Sequence, residues 1–451
     1  MQAATPGGRS LRVALIAGPG DPPRSVQGLG LPYLGAVVEQ GGIEARIFDV
    51  YPPPTDAEDS ASPDERLAAA IADWEPDIVG VTIHSPAYAE RVNLAKCIRR
   101  KLPEALLVAG GHHPSAEPAH LLRNSDFDVC VLGEGEGTLL ELAQHAASGT
   151  PDALQHIRGV VYRHAGRIAR TSGRPRVRDV DSLPFPAHHL LGLEHYAPHP
   201  LLGVRSTGIV TYRGCPIRCV HCVNPQGLRV RKRSPAKVVD EMARAVAGFD
   251  VRGFNVYDNL FGIDREHALA VCEEIARRRL DVIWDCWTAG DLVDVELAHK
   301  MRAAGCTRVG FGAESGDDEI LGRARRGFSA AQHRAGIEAL KSAGLQVEAF
   351  FMVGLPGESK ESVQRTVEFA KRCGSDEVCL SLNRPYPGTA LWRTPRAFGV
   401  RVVRGPNFEA YIETESLSRA ALLDCVRQAS EELRRCGLQA DVLRYDQYPW
   451  E

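Results

Sequence analysis

Short apolar runs alternate with helical stretches along this chain, and the alternation occurs twice. That pattern restricts the fold to α/β architectures with mostly parallel sheets. In the first third, LRVALIAG, ARIFDV, DIVGVTIH, ALLVAGG and FDVCVLG read as strands. Leu31 to Gly41 has a helical apolar period, and DERLAAAIADW reads as a helix ending before Pro76. Strand and helix in this order predict a doubly wound parallel sheet over residues 1–150. Ligands bind such sheets at the carboxyl ends of the strands. Here those ends are the loops starting at Gly18, His84, Gly110 and Gly133.

Residues 151–205 break the pattern. VVYRHAGRIART predicts a hairpin around Ala165-Gly166, and LPFPAHHLLGLEHYAPHP reads as a linker. The alternation returns over 206–395, with strands expected at GIVTY, GFNVYD, VIWDCW, RVGFGAE, QVEAFFMVG and EVCLSL. Six such units predict a partial βα barrel, whose chemistry sits at the C-terminal strand ends. Over 396–451 one amphipathic helix, ALLDCVRQASEELRRC, is expected.

A net charge of −3 argues against a general nucleic-acid binder. No apolar run reaches the roughly 18 residues of a membrane span. The start, MQAATPGGRSLRVALIA, lacks the pattern of a signal peptide, so a cytoplasmic protein is expected. Neither Gly28-x-Gly30 nor Gly133-x-Gly135-x-Gly137 forms a dinucleotide fingerprint between strand and helix. The basic run Arg229 to Arg233 reads as a solvated face.

Twelve cysteines are scattered along the chain, mostly in apolar segments, as reduced, buried thiols are. The exception is Cys215-Pro-Ile-Arg-Cys219-Val-His-Cys222, directly after GIVTYRG. Three thiolates in one short loop can ligate three irons of a four-iron cluster and leave the fourth open. A structural zinc site with His221 as fourth ligand is the alternative. Neighbouring ligands at 221 and 222 fit a tetrahedron poorly, and no second cysteine pair lies nearby.

With this loop the sequence resembles the radical S-adenosylmethionine (SAM) superfamily, and within it the branch carrying an N-terminal cobalamin-binding-like Rossmann domain. GLGLPYLGAVVEQGG, VAGGHHPSAEP and VLGEGEGTLLEL carry the resemblance in the first domain. TYRGCPIRCVHC, RVRKRSPAKVVDEM, YDNLF, FGAESGDDEIL, GLPGES and YPGT carry it in the barrel. It implies a [4Fe–4S] cluster on Cys215, Cys219 and Cys222, with SAM chelated by the open iron. By position it implies SAM contacts at Tyr257, Asp258 and Asn259, at Glu314 and Ser315, and at Met352, Val353 and Gly354. A plain turn is the other account of Gly354-Leu-Pro-Gly357. His221 stands where the family usually has a phenyl or phenol ring, and its flat ring could stack on adenine.

Cobalamin is left open. The loop Gly18 to Gly30 has no histidine to replace the lower cobalt ligand, although several family members bind cobalamin without one. His84 reads as a polar strand-end residue, and His112 follows Gly110-Gly111 where the family often has the smaller proline.

In size and layout the chain resembles the radical SAM diol dehydratases of aminoglycoside biosynthesis. That resemblance implies loss of the 3′-hydroxyl from a sugar or aminoglycoside such as paromamine. It also implies an electron donor (flavodoxin-like or chemical) and a separate nicotinamide-dependent reductase as partners. Such chemistry needs a base, an acid and carboxylates for ammonium groups. Asp285, at the end of the third strand in WDCWT, is the expected residue, equally readable as a cap or loop contact, with Tyr386 and Arg384 after the sixth strand. Trp287 could wall a sugar ring, and Cys286 reads as a buried small residue with hydrogen donation as its alternative. The other functional expectations are a cobalamin-dependent methyltransferase and a non-catalytic iron–sulfur or corrinoid sensor.

Overall fold

The computed structural model describes residues 9–16, 28–48, 61–148 and 153–442. The chain divides into two compact units, one running to Tyr196 and the other starting at Ala197.

The first unit is built on one sheet. Its strands are β1 (Arg12–Ile16), β2 (Glu44–Phe48), β3 (Ile78–Thr82), β4 (Leu106–Gly110), β5 (Val129–Val131), β6 (Val160–His164) and β7 (Arg167–Arg170). They lie in the order β2-β1-β3-β4-β5-β6-β7. The first five are parallel, and β6 and β7 add antiparallel to the edge. Helices cover the sheet, so RVALI in β1 is apolar along nearly its whole length. One of them, Pro63–Asp73, starts at Ser62, which exchanges hydrogen bonds with Glu65 in a capping box.

The hairpin expected at Ala165-Gly166 is present, yet it extends the first sheet instead of standing apart. The stretch expected as a linker packs on this unit as well. The Ala187 amide donates to the Pro32 carbonyl at 3.0 Å, and a Cβ on Gly35 would lie 2.7 Å from Leu190. Apolar side chains within a Pro- and His-rich segment give it a surface to bury, which composition alone does not reveal.

The second unit holds a parallel sheet of seven strands, β8 (Ser206–Ile209), β11 (Gly253–Val256), β12 (Ile283–Thr288), β13 (Cys306–Glu314), β14 (Gln346–Val353), β15 (Glu377–Leu382) and β18 (Gln439–Val442). The six expected strands are all there, in sequence order. The seventh comes from the C-terminal segment, which was expected to hold only a helix. β18 pairs parallel to β15, and the helix Arg419–Arg435 precedes it. The same segment forms the antiparallel hairpin of β16 (Val400–Arg404) and β17 (Ala410–Thr414).

Between β8 and β11 a two-stranded ladder joins β9 (Tyr212–Arg213) to β10 (Arg231–Lys232). The basic run Arg229 to Arg233 is therefore solvated only in part, with Arg229 and Lys232 exposed. Arg233 is buried and pairs with the equally buried Glu241 at 2.6 Å, while Arg231 is buried and bonds the Gln226 carbonyl. Among the described residues no helix is long and apolar enough to cross a membrane.

Candidate functional site

The cysteine loop leaves the barrel at the C-terminal end of β8, as expected. Gly214 turns the chain into it with φ +99°, and a Cβ there would lie 2.1 Å from the Arg229 carbonyl oxygen. Only glycine fits such a position. Asn224 donates to the Cys215 and Gly227 carbonyls at 2.9 and 3.1 Å, closing the loop on itself. Val220 fixes its middle. Its amide donates to the Ala324 carbonyl at 3.1 Å, and its carbonyl accepts from the Leu391 amide at 3.1 Å.

Cys222 is exposed and Cys215 and Cys219 are half-buried, whereas every other described cysteine except Cys436 is buried. All are free thiols. Desolvation raises Cys215 and Cys219, and Cys222 rises too although its residue is exposed at the surface, with the nearby Cys219 and Cys215 adding to the shift. The three sulfurs are thus mutual neighbours. Among the described residues, however, no three His, Cys, Asp or Glu side chains converge on a point that could hold one metal ion. This donor set suits a cluster, in which each thiolate takes its own iron.

Asp258 ends β11 as predicted but faces the barrel wall. It is buried, and its carboxylate accepts from the Thr211 amide at 2.7 Å, the Tyr212 amide at 3.3 Å and the Thr211 hydroxyl. Desolvation pushes it up to about 6 against these bonds. It braces the entry to the cysteine loop, with three of its acceptor positions taken. Ser315 is likewise consumed: fully buried, its hydroxyl bonds Thr366 at 2.9 Å and accepts from the Asp317 amide.

Glu314 is the strand-end group that remains available. Its φ of +65° turns it out of β13 beside Arg326, Nε to Oε1 3.8 Å. His221 lies near the same pair, and burial keeps it neutral by pushing its pKa down. Tyr257 follows β11, half-buried, and Asn259 is exposed with its amide 3.3 Å from Gln226. Met352 is half-buried at the end of β14, while the Val353 side chain is buried. Gly354 has φ +97°, and its amide, with that of Leu355, donates to the Glu358 carboxylate. The segment is thus a turn closed by a buried glutamate, which leaves only its outer backbone for a ligand.

Asp285 does not end its strand. It is the third residue of β12, where the register with β13 shifts between Trp284 and Asp285. The alternation along β12 buries Trp284, Cys286 and Thr288 and leaves Asp285 and Trp287 on the more open face. Asn255 donates to both Asp285 oxygens at 3.0 Å, and burial pushes Asp285 up to about 6. Beside it Arg308 binds Glu348 and Glu377 at 2.6 and 2.7 Å. Trp287 packs against Phe350, centroids 4.5 Å apart. Cys286 is buried against Cys306 on the opposite face, out of reach as a hydrogen donor to that space. Tyr386 and Arg384 follow β15 half-buried, and the Tyr386 carbonyl caps Thr389.

One residue carries no sequence signal. Arg326, within the unremarkable run RARRG, is buried with a guanidinium nitrogen 3.8 Å from the Cys219 sulfur.

In the first unit the ends of β3 and β4 bring His84 and His112 together edge to face, centroids 5.0 Å apart. Burial pushes His84 down to about 4, with the charges of His112 and Arg91 adding to it. A Cβ on Gly110 or Gly133 would meet nothing within 4 Å. These strand ends offer open space and a neutral imidazole, which fits a corrinoid. Most of the loop from Gly18 to Gly30, including every position where a loop histidine would stand, lies outside the described residues.

Comparison with known proteins agrees with both units. Residues 209–370 match the family model for the radical SAM superfamily, and residues 23–143 match the B12 binding domain. An uncharacterized methyltransferase of Pyrococcus horikoshii is 30% identical over 367 residues, 81% of this chain and 77% of its own length. The cytidylyl-2-hydroxyethylphosphonate methyltransferase of Streptomyces wedmorensis is 27% identical over 421 residues, covering 83% of this chain and 78% of its own. Among solved structures, the radical SAM methyltransferase TsrM from Kitasatospora setae, with cobalamin and a [4Fe–4S] cluster bound, has a TM-score of 0.76. At 21% identity, over 95% of this chain and 89% of that one, it attests the fold alone.

Proposed function

Because the chain belongs to the radical SAM superfamily, with a B12-binding domain preceding the barrel in the sequence, we propose that it is a cobalamin-dependent radical SAM methyltransferase. A [4Fe–4S] cluster and SAM are the cofactors of that family. Cys215, Cys219 and Cys222 would hold the cluster. The observation that carries this is the clamped loop of three neighbouring, accessible thiols at the end of β8. Bound SAM and the cluster together supply a 5′-deoxyadenosyl radical able to take hydrogen from an unactivated carbon. Glu314, Tyr257, Asn259 and the backbone of Met352 to Gly354 would orient SAM, with the His221 ring beside the adenine. Cobalamin supplies a methyl carrier, and the strand ends at His84, Gly110-Gly111 and Gly133 would hold it. The barrel's own share is to position the acceptor carbon and exclude water.

A second activity, diol dehydration of a sugar or aminoglycoside, is favoured by one feature. Asp285 and Trp287 share the more open face of β12, an acid beside a flat ring, as a sugar subsite would need. It would need a separate nicotinamide-dependent reductase.

The deciding experiment incubates anaerobically reconstituted protein with hydroxocobalamin, desalts it and records the visible spectrum. Stoichiometric retention, with two SAM consumed per product, supports methyl transfer. No retention, with a product from paromamine lighter by one oxygen, replaces it with dehydration.

A further inference from the structure

We infer that Arg326 tunes the reduction potential of the iron–sulfur cluster by donating to the sulfur of Cys219. The inference rests on Cys219 being a cluster ligand, as proposed above.

Arg326 is 5% exposed. Nη2 donates to the Gly312 carbonyl at 2.6 Å, and the guanidinium lies 5.7 Å from the Phe328 ring centroid. Nη1 is 3.8 Å from Cys219 Sγ. Nε has no hydrogen-bond partner, and Glu314 Oε1 stands 3.8 Å away from it, beyond bonding distance. A buried cation needs both charge and hydrogen-bond compensation. Here Glu314 offsets the charge across 3.8 Å, while Nε is left without a hydrogen bond and Nη1 has the Cys219 sulfur as its acceptor.

The placement is built. A Cβ on Gly312 would lie 2.7 Å from Nη2, so that position is kept small for the guanidinium. Arg325 takes φ +54° to deliver Arg326 inward. The bond from the Val220 amide to the Ala324 carbonyl ties the thiol loop to the backbone that carries Arg326. Sulfur acceptor and guanidinium donor are thus fixed to each other through the main chain.

The cluster takes up one electron from the donor, and negative charge on its sulfurs grows. A fixed cation donating to a ligand sulfur favours that reduced form, because hydrogen bonds to the sulfurs set cluster potentials. Arg326 therefore eases a reduction that every turnover requires.

The test is a potentiometric titration of the reconstituted protein, followed by electron paramagnetic resonance, for wild type, Arg326→Gln and Arg326→Lys. Iron and sulfide content and SAM binding are measured alongside. Arg326→Gln should lower the ratio of reduced to oxidised cluster about tenfold at fixed poise, equivalent to about 59 mV for one electron. Arg326→Lys, which keeps the charge without the fork, should fall between. If Arg326→Gln fails to load iron, the shift in Arg326→Lys decides. An unchanged potential at full iron content overturns the inference. So does an unchanged potential with weakened SAM binding, which would make Arg326 a contact of the SAM carboxylate. Wild-type protein that takes up no four-iron cluster overturns the assignment of Cys219 and the inference with it.

Discussion

Asp258 holds the Thr211 amide at 2.7 Å from inside the barrel wall, four residues before the first cysteine of the loop. The bond joins the end of β11 to the exit of β8, so the start of the thiol loop is set by a neighbouring strand. Asp258→Ala leaves the buried Thr211 and Tyr212 amides without an acceptor. We expect a loss of about 1–3 kcal/mol for the unsatisfied amide, with reduced iron content after reconstitution. Thermal melting and iron analysis measure the two effects, and wild-type values for both would remove Asp258 from this role.

Cys219→Ala should abolish formation of 5′-deoxyadenosine and leave the fold intact, because Cys219 is only half-buried and free. Chromatography of the products and circular dichroism check the two halves. Full activity in this variant would end the assignment of the cluster site.

Gly214→Ala should be more damaging than its size suggests. It forces an L residue to φ +99° with its Cβ 2.1 Å from a backbone oxygen. Such strain costs about 1–3 kcal/mol or more. The turn into Cys215 must shift, so iron content is expected to fall several-fold while the helix signal persists.

Glu358 gives a pH dependence whose sign follows from burial. Desolvation pushes it from 4.5 up to about 8, outweighing the Gly354 and Leu355 amides. Between those values the folded chain keeps a proton that the unfolded chain has released. Its contribution is therefore present in full at low pH and is lost as pH rises through about 8. Glu358→Gln cannot ionise. Its melting temperature relative to wild type should rise from pH 5 to pH 8, and a constant difference would contradict the shift.

Asp285→Ala should leave substrate-free SAM cleavage unchanged, because the residue lies in the first half of β12, away from the thiol loop. A loss of at least tenfold in that basal cleavage would place Asp285 in the cofactor site. Slow 5′-deoxyadenosine formation without substrate is the quantity to follow.

Much of this was legible in the sequence, for identifiable reasons. The parallel strands announce themselves as apolar runs between helical periods, and the thiol loop by its spacing. Side-chain direction was not legible. Asp258 and Ser315 sit at strand ends as predicted, yet their oxygens turn to Thr211, Tyr212 and Thr366 on neighbouring elements, partners that only the tertiary fold brings near. Asp285 was displaced by two residues of strand length and a register shift that no pattern encodes. β18 pairs with β15 across more than fifty residues, and such long-range pairing leaves no local trace. Arg326 is one arginine of three in RARR, distinguishable only once Gly312 and Cys219 are seen beside it.

Val220 is held by Ala324 on one side and Leu391 on the other. Those anchors are translated long after the cysteines beside it. During synthesis the Asn224 bonds can close the loop locally, but its middle gains its anchors only when Ala324 and then Leu391 have been made. Domains fold as units while the chain grows. The geometry of the thiol loop is therefore completed by residues more than a hundred positions further along the chain.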